Sequence, residues 1–172
     1  MCRIRHMDTA DIVAVVELER ACFTTHWPVA TYQNELLNPA AVYLVAELDG
    51  TVVGFAGMWV SADEAHITLL AVRSEYRRKG IGTRLLIGLL EEARYHGATA
   101  ATLEVRKSNE CALGMYHAAG FVETHERPGY YSDTGEAAVI MWVYDIQSSR
   151  YTALLGQLRA GLEERCPPTS SV

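Results

Sequence analysis

Apolar residues in the first half of the chain recur in short blocks with the spacing of β-strands. Such blocks occupy residues 2–6, 42–47, 51–60 and 64–72, and turn-forming residues lie between the last three. Asp49-Gly50 is a strong hairpin signal between the second and third blocks. Because short turns join these strands, we expect them to pair antiparallel.

Helical spacing of apolar residues alternates with this strand pattern. It predicts helices at residues 9–22, 29–37, 83–95, 109–119 and 148–165. The helix at 83–95 has the clearest buried stripe, formed by Leu85, Leu86, Leu89, Leu90 and Ala93. The last helix carries its own apolar face, formed by Tyr151, Leu154, Leu155, Leu158 and Leu162.

Three more strands are predicted after the central helix, at 100–105, 121–126 and 137–145, with a turn-rich loop over 128–135. The strand–helix–strand unit from 67 to 105 should be a right-handed parallel crossover. The pattern therefore predicts a mixed α/β (α+β) fold with about seven strands. We expect one domain over 1–146, a helical extension over 147–165 and a flexible tail over 166–172.

Composition narrows the possible functions. The chain has 172 residues and a formal net charge of −6, which disfavours a broad nucleic-acid-binding surface. Its four cysteines are scattered, as expected of reduced thiols in a cytoplasmic protein. The six histidines lack metal-ligand spacing, and no segment has the length of a membrane span. We expect no metal and no membrane association.

A glycine-containing turn between a strand and the central helix is the most informative motif. Gly80 and Gly82 allow the backbone to approach a ligand closely, and the first amides of the following helix lack intrahelical partners. Such a turn can hold an anionic group, most naturally a pyrophosphate. The alternative is a tight turn with a solvated basic edge, and the motif alone does not decide between them.

The order of motifs resembles the GCN5-related N-acetyltransferase (GNAT) superfamily. The resemblance rests on Leu70-Ala71-Val72, the Arg-x-x-Gly-x-Gly motif from Arg77, Leu103-Glu104-Val105-Arg106 with Ser108-Asn109, Met115-Tyr116, Gly120-Phe121, and Tyr130-Tyr131. Within the superfamily the set is similar to bacterial enzymes that acetylate the N-terminal alanine of ribosomal protein S18. The resemblance implies the GNAT fold, with a mixed, mostly antiparallel sheet that splays between its fourth and fifth strands.

The resemblance also implies acetyl-CoA as the co-substrate, without a metal. The backbone of Leu70, Ala71 and Val72 would pair with the pantetheine arm, because splayed strands leave backbone groups unpaired. Asn109 would bind the cofactor near its reacting end. The pyrophosphate would be held by the turn, formed by Arg77, Arg78, Lys79, Gly80, Ile81, Gly82 and Thr83.

Two residues are candidates for acid–base chemistry. By resemblance Glu104 is the general base, directly or through water, and we expect burial in an apolar strand to raise its pKa. The alternative is a structural carboxylate paired with Arg106 or Lys107. Tyr116 is the candidate acid that meets the leaving thiolate, and its alternative is a core aromatic residue. The Val72 amide is expected to serve the developing oxyanion.

The acceptor is expected opposite the cofactor. Tyr130 and Tyr131 resemble the tyrosine pair that holds peptide backbone in N-terminal acetyltransferases, and Trp27 belongs to the other wall. The implied partner is the N-terminal peptide of a protein, most directly ribosomal protein S18. Two alternatives stay open, a GNAT enzyme acting on a small amine and a non-catalytic acyl-CoA sensor.

Overall fold

A seven-stranded sheet organises the part of the chain that the computed structural model describes, residues 2–165. The strands are β1 Cys2–His6, β2 Ala41–Leu48, β3 Thr51–Ser61, β4 Glu64–Val72, β5 Ala100–Arg106, β6 Val122–Tyr131 and β7 Glu136–Val143. Their order across the sheet is β1-β2-β3-β4-β5-β7-β6. The α-helices of the same residues are α1 Ile12–Cys22, α2 Val29–Leu37, α3 Ile81–Tyr95, α4 Glu110–Ala118 and α5 Ser149–Arg165. The predicted mixed fold is confirmed.

The parallel pair β4–β5 opens partway along its length. Every other pair is antiparallel, whereas β4 and β5 run parallel from the pair Glu64 and Ala100 to the pair Ile67 and Leu103. Pairing stops there, although β4 continues to Val72 and β5 to Arg106. The expected splay is therefore confirmed, and it leaves backbone groups on the facing edges of both strands without a neighbouring strand.

Helices cover both faces of the sheet. Successive residues of β2 point to opposite faces of the sheet. Leu44 packs in the cluster beneath α3, and Tyr43 packs in the cluster beneath α1 and α2. The predicted stripe of α3 is confirmed, because all five of its residues are at most 1% exposed. The sheet is thus fixed from both sides, and the splay lies between two packed layers.

Strand β6 differs from the prediction. It continues to Tyr131 instead of ending near residue 126, and its register with β7 shifts between Arg127 and Tyr131. This irregularity accommodates Pro128 and Gly129, whose φ is +65°. Proline is tolerated because β6 is an edge strand and lacks a second neighbour that needs its N–H. Tyr130 therefore lies at the end of a strand, not within a loop.

Short 3₁₀ turns precede two of the helices and were not predicted. One spans Thr9–Asp11, where the Asp8 side chain accepts a hydrogen bond from the Ala10 amide, so α1 itself begins at Ile12. The other spans Ser74–Tyr76 before α3. Among the described residues, no helix has the length and apolarity needed to cross a membrane. The predicted tail at 166–172 lies outside the described residues.

The C-terminal helix α5 packs on the domain. The Tyr151 hydroxyl donates to the Ala119 carbonyl at 2.8 Å, and Leu155 and Leu162 are buried in the same cluster as α3. The predicted apolar face of α5 is thereby confirmed as a packing face against the same chain.

Candidate active site

The N-terminus of α3 lies beside the open part of β4. Gly80 precedes the helix with φ +75° and provides no side-chain cap. The amides of the first turn therefore have no capping partner and can donate hydrogen bonds to a ligand. A Cβ on Gly82 would lie 3.3 Å from Met115 Sδ and 3.6 Å from Leu70 Cδ2. Helices α3 and α4 and strand β4 therefore meet at this glycine. The arrangement fits an anionic group at the mouth of the splay.

The three basic side chains of the turn bind the protein itself. Arg77 Nε donates to the Val72 carbonyl at 3.0 Å, and Arg78 Nη1 donates to Cys111 Sγ at 2.9 Å. Lys79 Nζ lies 5.2 Å from the centre of the Tyr76 ring. These contacts tie the turn to β4 and α4 and leave further N–H groups of the three side chains, together with the backbone amides of Gly80 and the first turn of α3, to donate to an anion. Ile81 contributes its amide alone, because its side chain is buried.

Asn109 caps α4. Its Oδ1 accepts a hydrogen bond from the Ala112 amide at 3.2 Å. The side chain that the resemblance assigns to the cofactor is therefore also a helix cap, and its position is fixed by α4.

Glu104 and His66 form a pair on the face of the sheet opposite α3. His66 Nε2 lies 2.6 Å from Glu104 Oε2, and both side chains are partly buried. They line a cavity of about 410 Å³ together with Trp59, Arg127 and Trp142. The alternative pairing of Glu104 with Arg106 or Lys107 is wrong, since Arg106 binds Asp133 and Glu136 and Lys107 binds Glu126.

The pKa of Glu104 was expected to be raised, and in the structure it is lowered instead. The hydrogen bond from His66 lowers the pKa of Glu104 and outweighs burial, which acts to raise it. The same bond raises the pKa of His66 above its ordinary value. Glu104 alone is therefore a weaker base than expected, whereas His66 is a stronger base than an ordinary histidine.

Tyr116 is buried in α4, with its ring centre 5.8 Å from that of Phe121. Burial chiefly raises its pKa, and the nearby Tyr131 adds to the effect, so the phenol keeps its proton at neutral pH. Burial also raises the pKa of Tyr131 to about 12 against the opposing charge of Arg106, with smaller upward contributions from Tyr130 and Glu104. Tyr131 thus lies within electrostatic range of both Glu104 and Tyr116.

Two loops meet beside these groups. Arg106 donates to both carboxylate oxygens of Asp133, at 3.0 and 2.8 Å, and its guanidinium lies 3.9 Å from the centre of the Tyr131 ring. The Thr24 hydroxyl donates to Asp133 Oδ2 at 2.8 Å. We call Thr24, Arg106 and Asp133 the loop clasp, because they connect the α1–α2 segment, β5 and the β6–β7 loop.

The aromatic residues predicted to bind the acceptor lie on the two segments that the loop clasp joins. The rings of Tyr130 and Tyr131 are 5.1 Å apart and nearly perpendicular, and Tyr130 is 43% exposed. On the α1–α2 segment, the Trp27 amide donates to the buried Glu19 carboxylate at 3.1 Å, and its ring lies 5.7 Å from that of Tyr32. Both walls are thus held by contacts within the chain.

Sequence reasoning missed His66 and the loop clasp. The parallel register places His66 opposite Thr102, two residues before Glu104, and this register cannot be read from the strand patterns alone. A histidine within an otherwise apolar strand was the available signal.

Comparison with known proteins agrees with this geometry. Residues 12–121 match the Acetyltransferase (GNAT) family. A Bacillus subtilis protein provisionally named ribosomal protein bS18-alanine N-acetyltransferase is 41% identical over 141 residues, which cover 81% of this chain and 93% of that protein. The crystal structure of the Escherichia coli ribosomal-protein-S18-alanine N-acetyltransferase has a TM-score of 0.77 and 31% identity, covering 84% of this chain and 94% of that one.

A third neighbour shares the fold at lower identity. It is a Salmonella typhimurium protein provisionally named an acetyltransferase, solved with acetyl-CoA, at a TM-score of 0.73 and 24% identity, covering 84% of this chain and 94% of that chain. The family match and the Bacillus relative together establish that this chain belongs to the Acetyltransferase (GNAT) family and is an N-acetyltransferase.

Proposed function

We propose that this enzyme transfers the acetyl group of acetyl-CoA to the N-terminal α-amine of a protein, and that the acceptor is the N-terminal alanine of ribosomal protein S18. The names and high mutual coverage of the Bacillus and Escherichia relatives support this acceptor. A ribosomal acceptor implies a cytoplasmic enzyme without a membrane partner.

The observation that carries the proposal is the pairing of Glu104 with His66 beside the open end of β4 and β5. An α-ammonium must lose a proton before it attacks, and its pKa of about 8 is far closer to neutrality than the value of about 10.4 for lysine. A modest base is therefore sufficient for an α-amine. The carboxylate–imidazole pair supplies such a base in a cavity that opens opposite α3.

The cofactor would be bound by backbone groups. Leu70, Ala71 and Val72 have no partner strand on the β5 side, and apart from the Val72 carbonyl, which Arg77 binds, this edge suits the two amides of a pantetheine arm. The amides from Gly80 to Thr83 suit the pyrophosphate, with Asn109 near the reacting end. The Val72 amide would stabilise negative charge on the thioester oxygen.

Direct transfer needs one proton removed before attack and one delivered afterwards. The Glu104–His66 pair takes a proton from the α-ammonium, the amine nitrogen forms a bond to the thioester carbon, and the carbon–sulfur bond breaks. Tyr116 gives its proton to the departing thiolate and regains one from the acylated nitrogen through solvent. The raised pKa of Tyr116 keeps that proton in place until the thiolate forms.

The peptide would lie between Trp27 and the pair Tyr130 and Tyr131, with the loop clasp setting the distance between these walls. Such a site selects for polypeptide backbone next to the reacting amine. The contacts of the loop clasp lie within the chain, so the two walls are held in place before the acceptor binds.

A peptide panel tests this function. The purified enzyme is incubated with acetyl-CoA and a peptide that has the N-terminal sequence of S18 and an internal lysine, and thiol release and the site of acetylation by mass spectrometry are followed. The matched control is the same peptide with a blocked N-terminus. We expect transfer to the free α-amine alone. Transfer only to the lysine side chain, or only to small amines, would falsify the proposal.

A further inference from the structure

Helix α5 lies beyond the matched family region, which ends at residue 121. It nevertheless makes specific contacts with α3, the helix whose N-terminus forms the cradle for the anion. We use "cradle" for residues 80–83. The contacts of α5 with α3 therefore bear on cofactor binding.

Helix α5 runs back along α3 towards the cradle. Near the start of α5, Thr152 accepts a hydrogen bond from Arg94 in the last turn of α3. Further along, Arg159 donates to both carboxylate oxygens of Glu91, at 2.8 and 2.7 Å. Near its end, the Leu162 carbonyl accepts a long hydrogen bond of 3.4 Å from Arg84 in the first turn of α3. The last turn of α5 thus reaches the beginning of α3.

Leu162 packs directly on the glycine that opens the cradle. A Cβ on Gly80 would lie 2.5 Å from Leu162 Cδ2, so the leucine methyl group occupies the space that a side chain would need. Leu162 is 8% exposed, although it lies in the last turns of a terminal helix. Gly80 has a positive φ. Glycine changes readily between positive and negative φ unless neighbouring atoms restrict it.

We infer that Leu162 is a positioning residue for acetyl-CoA: it holds Gly80 and the cradle amides in the conformation that binds the pyrophosphate. This inference rests on the proposed cofactor site. Donors that are already oriented bind an anion more tightly, because ordering them no longer opposes binding. The contact acts on the cofactor side of the sheet, away from the acceptor cavity at Glu104.

Leu162→Ala tests the inference, with Leu155→Ala as the matched control. Leu155 lies two turns earlier on the same helix and is similarly buried, at 3% exposed. We expect calorimetry to show acetyl-CoA binding weakened about tenfold by Leu162→Ala and unchanged by Leu155→Ala. The KM for the acceptor peptide and kcat should stay the same in both variants, and thermal melting confirms that each is folded.

A double-mutant cycle isolates the contact. Gly80→Ala should weaken acetyl-CoA binding through its positive φ and through overlap with Leu162. Adding Leu162→Ala removes the overlap, so the double variant should bind no more weakly than Gly80→Ala alone. Strictly additive losses would contradict a direct contact at the cradle.

The outcomes separate this inference from the proposed function. No binding of acetyl-CoA by the unmodified enzyme would overturn the cofactor assignment itself. Normal binding by the unmodified enzyme, with Leu162→Ala unchanged, tighter, or no weaker than Leu155→Ala, would overturn the role of Leu162 and leave the proposed function intact.

Discussion

His66 and Glu104 connect β4 and β5 at the point where their backbone pairing ends. The last register pair is Ile67 and Leu103, and the hydrogen bond of 2.6 Å joins the residue before one to the residue after the other. A side-chain contact thus replaces the backbone ladder where the strands separate. The same contact determines the protonation of both groups.

The pH dependence of turnover should report this pair. The raised pKa of His66 means that its neutral form, which can accept a proton, disappears as the pH falls through a value above the ordinary 6.5. We expect kcat/KM for the acceptor peptide to rise with pH through that region. His66→Gln should lower kcat/KM and move this limb to lower pH, because the base that remains is the Glu104 carboxylate, and a carboxylate titrates at lower pH than an imidazole. Profiles of kcat/KM from about pH 5 to about pH 9, recorded for both enzymes, measure this shift. If the limb lies at the same pH in both, a group other than His66 causes it.

Stability should depend on the same pair. The raised pKa of His66 gives stabilisation that is present below its unfolded pKa and lost as pH rises through the folded value. The lowered pKa of Glu104 gives stabilisation that is lost as pH falls through its folded value. The melting temperature of the unmodified protein should therefore exceed that of His66→Gln most near about pH 6, and least near about pH 9. An equal difference at both pH values would argue against a charged pair.

Glu104→Gln should reduce kcat by about a hundredfold or more, because His66 loses the carboxylate that raises its pKa and stabilises its protonated form. Its acetyl-CoA affinity, measured by calorimetry, should be unchanged, since the cradle lies across the sheet. Glu126→Gln is the control, because Glu126 is an exposed carboxylate paired with Lys107. Equal kcat values in the two variants would remove Glu104 from its assigned role.

Tyr116→Phe tests the acid. The variant keeps the ring packed on Phe121 and loses only the hydroxyl, so the fold should persist while kcat falls by about tenfold to a hundredfold. Tyr151→Phe is a matched loss of a buried hydroxyl, which donates to the Ala119 carbonyl. It should lower the melting temperature without changing kcat. If Tyr116→Phe retained full turnover, its hydroxyl would have only a packing role.

The loop clasp should affect the acceptor and not the cofactor. Arg106→Lys keeps the charge but loses the two-pronged contact with Asp133 and the stacking on Tyr131, so we expect a higher KM for the peptide. Thr24→Val breaks only the bond between the loops and should give a smaller increase. Lys107→Ala, which changes a neighbouring surface pair, is the control. If these variants changed the affinity for acetyl-CoA and left the KM for the peptide unchanged, the loop clasp would act on cofactor binding, and this prediction would be wrong.

The architecture was largely predictable because its signals are local. The stripe of α3 and the turn at Asp49-Gly50 are encoded in residue spacing, and both are present in the structure. Strand β6 was predicted too short, because Pro128-Gly129 reads as a loop and only the edge position makes a proline acceptable there.

The site was less predictable because it depends on register. Glu104 was recognised, but its partner His66 comes from another strand, and the sign of its pKa shift follows from that partner. The assignment of Arg77 and Arg78 to a ligand likewise could not foresee that Val72 and Cys111 would bind them.

The separation of β4 from β5 also has a dynamic consequence. The segment from Leu69 to Val72 is paired on one side only, with β3, so opening it locally breaks fewer hydrogen bonds than opening the doubly paired strands does. Its outward-facing amides should exchange with deuterium faster than those of β3. The fold therefore keeps a singly paired strand segment in the interior of the sheet, where a second backbone-like molecule can complete the pairing.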